Sequence, residues 1–341
     1  MPDATPGSII TVKLEDFIRE RARALGFGAI GFACVAPSRS AQAFQEWLDK
    51  KYCADMHYLQ RHAALRSDPR KLAPQARTVI VVGARYPFKQ TGSAISNFAR
   101  GTDYHSVLRS KLTQLAESIA GECGDENIGP ICVDSDPLSE REWAVRAGIG
   151  WIGRQGSVVS PEMGCCFFLG ELLVNIELEP GRELSPQCGD CDLCMKVCPA
   201  GAIMSGNVVD ARRCVSYLTI EHKGSINPEL AFCFSGSIFG CDRCTSVCPW
   251  NQRGKAKIMP EFYVSPDASF SLEKLSALDI IGYKKKFRKT PVERIGFERF
   301  SRNIKIVLAN QIKEKNVAPP ASLEAQALPQ ASPWRAQRTQ R

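Results

Sequence analysis

The residues best suited to chemistry are cysteines, of which the 341-residue chain has 15, nine of them from Cys188 to Cys248. One run reads Cys188-x2-Cys191-x2-Cys194-x3-Cys198-Pro199, and a second reads Cys241-x2-Cys244-x3-Cys248-Pro249. The first has the spacing of bacterial ferredoxins, in which three close thiolates bind one [4Fe–4S] cluster and the fourth binds another. The pattern predicts two adjacent clusters that pass single electrons to a reaction centre at one end.

The second run is one cysteine short, because Ile238 stands three residues before Cys241, but Cys214 can supply the missing thiolate. Exchange of the fourth ligands between the runs gives two sets of four. The first cluster is then bound by Cys188, Cys191, Cys194 and Cys248, and the second by Cys198, Cys214, Cys241 and Cys244. A pair of four-cysteine zinc sites is the alternative, although zinc does not require a close third cysteine followed by Cys-Pro.

The other cysteines do not follow this spacing. We interpret Cys233 as a buried thiol, and the rest as small core residues, namely Cys34, Cys53, Cys123, Cys132, Cys165 and Cys166.

Composition narrows the class of protein. A hydrophobic fraction of 44% supports a sizeable core, and 44 Lys and Arg against 36 Asp and Glu give a net charge of +8, which permits a polyanionic partner. No secretory signal pattern opens the chain, and no apolar run approaches the ~18 residues of a membrane span. With clustered cysteines, these features predict a cytoplasmic protein, which we expect to be a monomer without membrane contacts.

Apolar patterns predict the elements that position these residues. Helices are expected over 12–25, 40–50, 54–64, 104–121 and 138–147, and strands over 29–35, 78–82, 129–133 and 166–178. The unbroken apolar run 78–82 is typical of a strand covered on both faces. The predicted class is α/β or α+β, with an α/β domain at 1–180, a ferredoxin-like two-cluster domain at 181–255, a basic helical region at 256–315 and a disordered tail at 316–341.

Two short motifs in the first domain carry polar chemistry. Asp134 follows a predicted strand and precedes a helix for which Asp136 is the expected N-cap. Asp134 is either a functional carboxylate at a strand end or only an anchor of this turn. Asp103-Tyr104-His105 opens another helix, where an aspartate beside a partly buried histidine is commoner than a metal ligand with its carboxylate partner.

Several longer motifs are shared with one known family. They include Arg100-Gly101-x-Asp103-Tyr104-His105, Val133-Asp134-Ser135, Glu142-x-Ala144-x-x-Ala147-Gly148-x-Gly150-Trp151-x-Gly153, Asp210-Ala211-Arg212-Arg213-Cys214 and Cys248-Pro249-Trp250-Asn251. On these motifs and both cysteine runs, the chain resembles the epoxyqueuosine reductases over roughly residues 10–310.

The resemblance implies an oxidoreductase that uses cobalamin and two [4Fe–4S] clusters to reduce epoxyqueuosine in tRNA to queuosine, with loss of water. It implies a nitroreductase-like α/β domain that holds cobalamin beside the nearer cluster, while the second cluster accepts electrons from an external donor. It assigns the role of general acid to Asp134. An apolar, desolvated setting is then expected to raise the pKa of this carboxyl group.

The resemblance also implies a set of cobalamin contacts. Their positions are His57, Asn97, Asp134, Val158, Leu169, Ser216 and Asp242, of which His57 and Asn97 are carried over by spacing and not by residue type. Cobalamin proteins that bind cobalt through histidine carry Asp-x-His-x-x-Gly, whereas Leu108 follows Asp103-Tyr104-His105 at the glycine position. We therefore expect no histidine ligand to cobalt.

The segment from Lys284 to Lys305 holds nine basic residues and two acidic ones. Such a density predicts a surface that contacts tRNA phosphates, with a solvated helix face as the alternative. Two other functions stay open at this point: a reductive dehalogenase-like corrinoid enzyme and a non-catalytic ferredoxin-type electron-transfer protein.

Overall fold

The computed structural model describes residues 6–88, 93–264 and 270–316, so the predicted tail at 316–341 lies outside the described residues except for its first position. The strands are β1 (Ala29–Cys34), β2 (Thr78–Arg85), β3 (Ile128–Cys132), β4 (Trp151–Ile152), β5 (Val158–Val159) and β6 (Phe167–Val174). The helices are α1 (Pro6–Ala24), α2 (Ala41–Asp49), α3 (His57–Arg61), α4 (Ala63–Arg66), α5 (Tyr104–Cys123), α6 (Glu140–Arg146), α7 (Leu193–Lys196), α8 (Val215–Ile220), α9 (Pro228–Phe232), α10 (Arg243–Ser246), α11 (Leu272–Ser276), α12 (Ile280–Phe287) and α13 (Gly296–Asn316). Within those ranges, no helix is long and apolar enough to cross a bilayer.

A four-stranded sheet in the order β1-β2-β6-β3 forms the centre of the N-terminal half of the described chain. Every neighbouring pair in it is antiparallel. This pairing is that of an α+β fold, and the expectation of an α/β domain, whose sheet would be parallel, is wrong for this sheet. Strand direction depends on long-range pairing, which an apolar run does not encode.

Strand β2 is covered on both faces, as its apolar run predicted. Ile80 packs in one apolar cluster with Leu112 of α5, whereas Val81 packs in another with Trp143 of α6. Successive side chains of a strand point to opposite faces, so each face of the sheet has its own helical cover. The sheet is thereby held between α1 and α5 on one side and α6 on the other.

The cysteine-rich segment shares a core with the basic helices that follow it. Leu218 of α8 and Phe239 pack in one cluster with Phe287 of α12 and Phe300 of α13. Helices α7 and α10, which carry one cysteine each of the two runs, pack against each other. The domain limits given above stay predictions, but this shared core fixes α12 and α13 against the cysteine-rich segment.

A glycine in β1 permits the closest approach between the sheet and α6. A Cβ atom added at Gly31 would lie 2.1 Å from the carbonyl oxygen of Ala147, just past the end of α6. Backbone atoms cannot yield to such a contact without moving the helix. Gly31 therefore sets the distance between β1 and the helix that follows the Asp134 turn.

We expect Gly31→Ala to lower the free energy of unfolding by about 3 kcal/mol, because the new methyl group displaces backbone. Gly121→Ala in α5 is the matched control, since a Cβ there meets no atom within 4 Å. Alanine favours the helix over glycine, so this control should gain up to ~1 kcal/mol. Urea unfolding of both variants measures the difference, and equal stabilities would contradict the close approach.

Candidate functional site

Asp134 lies in the turn between β3 and α6. Its φ of +55° is in the left-handed region that non-glycine residues rarely adopt, so other contacts must hold the turn. The carboxylate of Asp136 provides one of them by accepting a hydrogen bond from the N–H of Val133 (2.8 Å) and pairing with Arg109. The expectation that Asp136 caps the next helix is wrong, because α6 begins only at Glu140 and the carboxylate closes the turn instead.

Arg66, the last residue of α4, also stabilises this turn. Its side chain is buried, and its guanidinium donates hydrogen bonds to the carbonyl oxygens of Leu138 and Asp136, the latter at 2.8 Å. Burying a guanidinium is costly unless its donors find partners, and the backbone carbonyls of the turn satisfy part of that need. The side chain of Arg66 therefore connects α4 to the turn.

His105 joins the start of α5 to Asp134. Asp103 is the N-cap of α5, and its Oδ1 atom accepts hydrogen bonds from the backbone N–H of His105 (3.1 Å) and lies 2.7 Å from the ring Nδ1. The other ring nitrogen, Nε2, lies 2.9 Å from Oδ2 of Asp134. The imidazole thus stands between two carboxylates. The motif was correctly expected to open a helix, but its link to Asp134 was not foreseen.

These contacts determine the charges at the site. Burial lowers the pKa of His105, but the hydrogen bonds and charges of Asp103 and Asp134 outweigh it and raise that pKa to about 9. Burial raises the pKa of Asp134, but the hydrogen bond and charge of His105 and a hydrogen bond from Tyr104 hold it below its ordinary value. Near neutral pH the pair is therefore an imidazolium and a carboxylate. The expectation of a raised pKa at Asp134 is wrong, because a cation faces this carboxyl group.

Aromatic packing fixes the segment that carries His105. Tyr104 stacks on Phe168 of β6, with ring centroids 4.1 Å apart and planes inclined by 6°. Its hydroxyl group bonds to Asp134, and burial followed by the charge of that carboxylate raises the pKa of Tyr104. The phenol therefore stays protonated and acts as a donor to Asp134.

Two further carboxyl groups lie close to the turn. Burial and then the charge of Asp134 raise the pKa of Glu140 to about 7. Glu171 of β6 is 1% exposed, and burial, then the charge of Glu140, raises its pKa well above the ordinary value. Its Oε1 atom has no hydrogen-bond partner among the described residues. The sequence signal was a single acidic residue within the apolar run of β6, and it was missed.

Two of the predicted cobalamin contacts meet at the border between the sheet and the cysteine-rich segment. The backbone N–H and the side-chain amide of Asn97 both donate to Oδ2 of Asp242, at 2.7 and 2.8 Å. Burial raises the pKa of Asp242, although the Asn97 hydrogen bonds and Arg100 oppose this. Asp242 stands between Cys241 and α10, so Asn97 is held against the second cysteine run.

The other predicted contacts are less closely grouped. His57 is exposed at the start of α3 and Ser216 is half-buried in α8, while Val158 and Leu169 are 4% and 8% exposed, which leaves little surface for a cofactor. After burial, the charges of Glu221 and Asp134 raise the pKa of Tyr58, the residue next to His57. Helix α3 therefore lies close to both the Asp134 turn and the end of α8.

The cysteines of the first predicted set share one neighbourhood. Burial raises the pKa of the Cys194 thiol, and the charges of Cys191, Cys188 and Cys248 raise it further. Such effects require proximity, because charge interactions weaken with distance. Cys248 comes from the other run, so the two runs fold against each other.

The second set is grouped in the same way. Burial raises the pKa of Cys241 to about 11, and the charge of Cys214 contributes. Burial also raises the pKa of Cys244, followed by the charges of Cys241, Cys214, Cys165 and Cys198. Among the described residues no three His, Cys, Asp or Glu side chains converge as the ligands of a single ion, whereas a cubane binds its thiolates at separate corners. The two ligand sets stay predictions.

Cys165 is a core residue with an additional role in the contacts of the cysteine runs. It is buried as expected, and its thiol forms a hydrogen bond with the thiol of Cys248. Oδ1 of Asn251 accepts hydrogen bonds from the N–H of Cys165 (2.8 Å) and from its thiol (3.3 Å). The loop before β6 is thereby attached to the end of the second run.

The remaining cysteines divide by position. Cys53, Cys132 and Cys166 are buried, as expected. The expectation of a core position is wrong for Cys34, which is exposed, and Cys123 is only partly buried, because each is the last residue of an element that ends at the surface. Cys233 is partly exposed, contrary to expectation, and its thiol donates to the carbonyl oxygens of Pro199 and Glu229.

Comparison with known proteins identifies the family. A model described as a 4Fe-4S double cluster binding domain matches residues 187–251, and one described as epoxyqueuosine reductase QueG, DUF1730, matches residues 66–135. The epoxyqueuosine reductase of Alicycliphilus denitrificans is 37% identical over 313 residues, which cover 86% of each chain. The chain belongs to the epoxyqueuosine reductase family. The zinc alternative for the cysteine runs is thereby displaced by the match to an iron–sulfur domain.

Solved structures agree with this family. An epoxyqueuosine reductase crystallised with an epoxyqueuosine-modified tRNA-Tyr stem loop superposes with a TM-score of 0.80 at 29% identity, covering 88% of this chain and 82% of that one. The enzyme of Bacillus subtilis, in a form whose aspartate-bearing catalytic loop is swung out of the active site, has a TM-score of 0.77 at 28% identity, with coverage of 88% and 82%.

The raised pKa of His105 predicts how stability depends on pH. Folding raises this pKa from 6.5 to about 9, so the stabilisation is complete below pH 6.5 and is lost as the pH rises through about 9. Melting temperatures of the unmodified protein and of His105→Gln should therefore differ most at pH 6 and converge by about pH 10. A difference that stays constant over this range would contradict the assigned charge state.

Proposed function

We propose that this chain reduces epoxyqueuosine in tRNA to queuosine, with two [4Fe–4S] clusters and cobalamin as cofactors and Asp134 as the general acid. One observation carries the proposal. The N–H of Asp103 donates to the carbonyl oxygen of Lys289 at 2.8 Å, so the basic segment borders the Asp103–His105–Asp134 group. A surface suited to phosphates and a proton-bearing site therefore adjoin each other in a chain with two clustered sets of thiols.

The cysteine sets fit the proposed clusters by their electrostatics. Four thiolates held together repel one another, which is why each raises the pKa of its neighbours. Iron supplies the positive charge that makes the thiolate form favourable. We assign Cys188, Cys191, Cys194 and Cys248 to one cluster and Cys198, Cys214, Cys241 and Cys244 to the other.

The residues at the border of the sheet fit the amide-rich rim of cobalamin. Asn97 and Asp242 offer amide and carboxyl groups there, and Ser216 of α8 and His57 of α3 are the further polar contacts proposed. Asp134 is 40% exposed, which leaves part of its carboxyl group accessible. When bound, cobalamin supplies a low-valent cobalt that can transfer electrons to carbon. Val158 and Leu169 would contribute only their small exposed surfaces.

The reaction balance requires protons as well as electrons. Converting an epoxide to an alkene consumes two electrons and two protons and releases the oxygen as water. The electrons come from an external one-electron donor through the clusters. The oxygen must gain a proton as its carbon–oxygen bond breaks, and Asp134 is the carboxyl group proposed to provide it. The swung-out catalytic loop of the Bacillus subtilis relative supports a functional loop at such an aspartate.

The residues of the basic segment have two different roles. Lys284, Lys285, Arg288 and Lys289 are exposed and are proposed to contact phosphates. Arg302, in contrast, donates to the backbone carbonyl oxygens of three residues at and beyond the end of α8. Part of the charge is therefore structural, and the phosphate surface is the part before and around Lys289.

The proposed function predicts the effect of removing the acid. The anaerobically reconstituted protein, with iron, sulfide and cobalamin, should convert epoxyqueuosine-tRNA to queuosine-tRNA. Asp134→Asn should lower the single-turnover rate by on the order of 10²-fold or more, because an amide cannot donate the proton. Asp49→Asn, at an exposed helix end, is the control and should keep the full rate. Iron content must be equal in all three proteins, and an undiminished rate in Asp134→Asn would refute the acid assignment.

A cysteine pair tests the ligand sets. Cys198→Ala should lower the iron content from about eight to about four atoms per chain, because one cubane loses a ligand. Cys233→Ala is the matched control, since Cys233 lies near this set but bonds only to backbone carbonyls among its described partners. It should keep both clusters by iron analysis and by electron paramagnetic resonance after reduction. Loss of a cluster in the Cys233 variant would require a different ligand set.

A further inference from the structure

We propose that His105 is the source of the proton that Asp134 delivers, with Asp103 fixing the imidazole between the two carboxylates. This inference rests on the proposed function and deepens it. His105 acts through Asp134, so it is a positioning and proton-supplying residue and not a catalytic one in the strict sense.

The geometry favours a proton carrier over a simple anchor. Both ring nitrogens face carboxylate oxygens, Nδ1 at 2.7 Å from Asp103 and Nε2 at 2.9 Å from Asp134. Both nitrogens can donate only in the protonated ring, so this arrangement selects the imidazolium. The side chain is 24% exposed, which lets solvent restore the proton after each turnover.

Asp134 alone is poorly suited to act as the acid. Its carboxyl group is ionised near neutral pH, because His105 and Tyr104 stabilise the charged form. A carboxylate without a proton cannot donate one, and the proton of the pair is carried by the histidine. The structure therefore separates the group that stores the proton from the group that touches the substrate.

Other ionisable groups near the imidazole also affect the charges of His105 and Asp134. Besides the two aspartates, the site is faced by the Tyr104 phenol on α5 and by Arg294, whose charge acts on both Asp103 and Asp134. Glu140 on α6, Tyr58 on α3, Arg66 on α4 and Glu171 on β6 are also influenced by the charge of Asp134. Tyr58 has a raised pKa and stays neutral near pH 7, whereas Glu140, with a pKa of about 7, is about half ionised there, and its negative charge favours the imidazolium.

One proton passes from His105 through Asp134 to the epoxide oxygen. As the first carbon–oxygen bond of the epoxide breaks, the oxygen takes up an electron pair and becomes basic. The proton on Nε2 of His105 first moves to the carboxylate of Asp134, and the carboxylic acid so formed then passes a proton to that oxygen. The imidazolium becomes neutral imidazole, and the charge of Asp134 is unchanged. The second proton, which converts the departing hydroxide to water, comes from solvent.

The decisive experiment is the pH profile of single-turnover reduction of epoxyqueuosine-tRNA, measured from pH 6 to 10 with excess reductant. The unmodified protein should hold its rate until the pH nears 9 and then decline. His105→Gln should lose on the order of 10²-fold at pH 7.5, with a decline that begins at lower pH. Asp103→Asn should move the alkaline decline toward pH 6.5, the ordinary value for histidine, while the rate at pH 6 stays within about threefold.

His222→Gln is the matched control, because this histidine also contacts an aspartate, Asp55 at 3.0 Å, but not Asp134. It should keep the profile of the unmodified protein. A uniform drop in rate at every pH in the His105 and Asp103 variants, with an unmoved alkaline limb, would mean that the histidine is only structural and would overturn the proposal.

A second measurement does not depend on turnover. The chain has four histidines, so ¹⁵N-histidine spectra can be assigned by single substitutions. His105 should titrate near pH 9 in the holoprotein and at lower pH in Asp103→Asn, and titration near 6.5 in the unmodified protein would refute the inference. If the loaded protein does not reduce the tRNA at any pH, the proposed function fails, while this titration still decides the charge state of His105.

Discussion

The hydrogen bond between His105 and Asp134 is the interaction on which the candidate site depends. A left-handed φ at a residue other than glycine costs about 1–3 kcal/mol, and a charge-assisted hydrogen bond contributes about 1.5–3 kcal/mol. The two quantities nearly offset each other, so the turn stays closed only while its polar contacts are intact. The same contact determines where the proton lies, and structure and chemistry at this site therefore have one cause.

This balance explains why the turn is built from charges and not from apolar packing. Arg66, Arg109 and His105 hold it through carbonyl and carboxylate oxygens, while the neighbouring Val133, just past the end of β3, is buried. Polar contacts can be exchanged for new hydrogen bonds at small net cost, whereas an apolar contact would be lost outright.

The sequence was most informative where the constraint is local. Cysteine spacing is a local signal and predicted two sets of thiols, and apolar runs predicted β2 and its two-sided cover. The antiparallel pairing of β2 with β6 was missed because it joins distant segments. For the same reason Asp103-Tyr104-His105 was seen as a helix start only, since Asp134 lies 29 positions further on. Glu171 could have been found, because an acid within an apolar strand is rarely without a reason.

The role of the basic residues could also be interpreted only once the fold was known. The run from Lys284 to Lys305 looked like one basic surface, but Arg299 and Arg302 bind the carbonyl oxygens at the end of α8. That end of the helix carries partial negative charge, which explains why cations are used there. Because α8 begins directly after Cys214, these arginines fix the segment that bears a predicted cluster ligand. The exposed Lys284 and Lys285 lie on α12, whose Phe287 packs in the same apolar cluster as Leu218 of α8, so a phosphate bound to them would be held by the core that also holds the segment after Cys214.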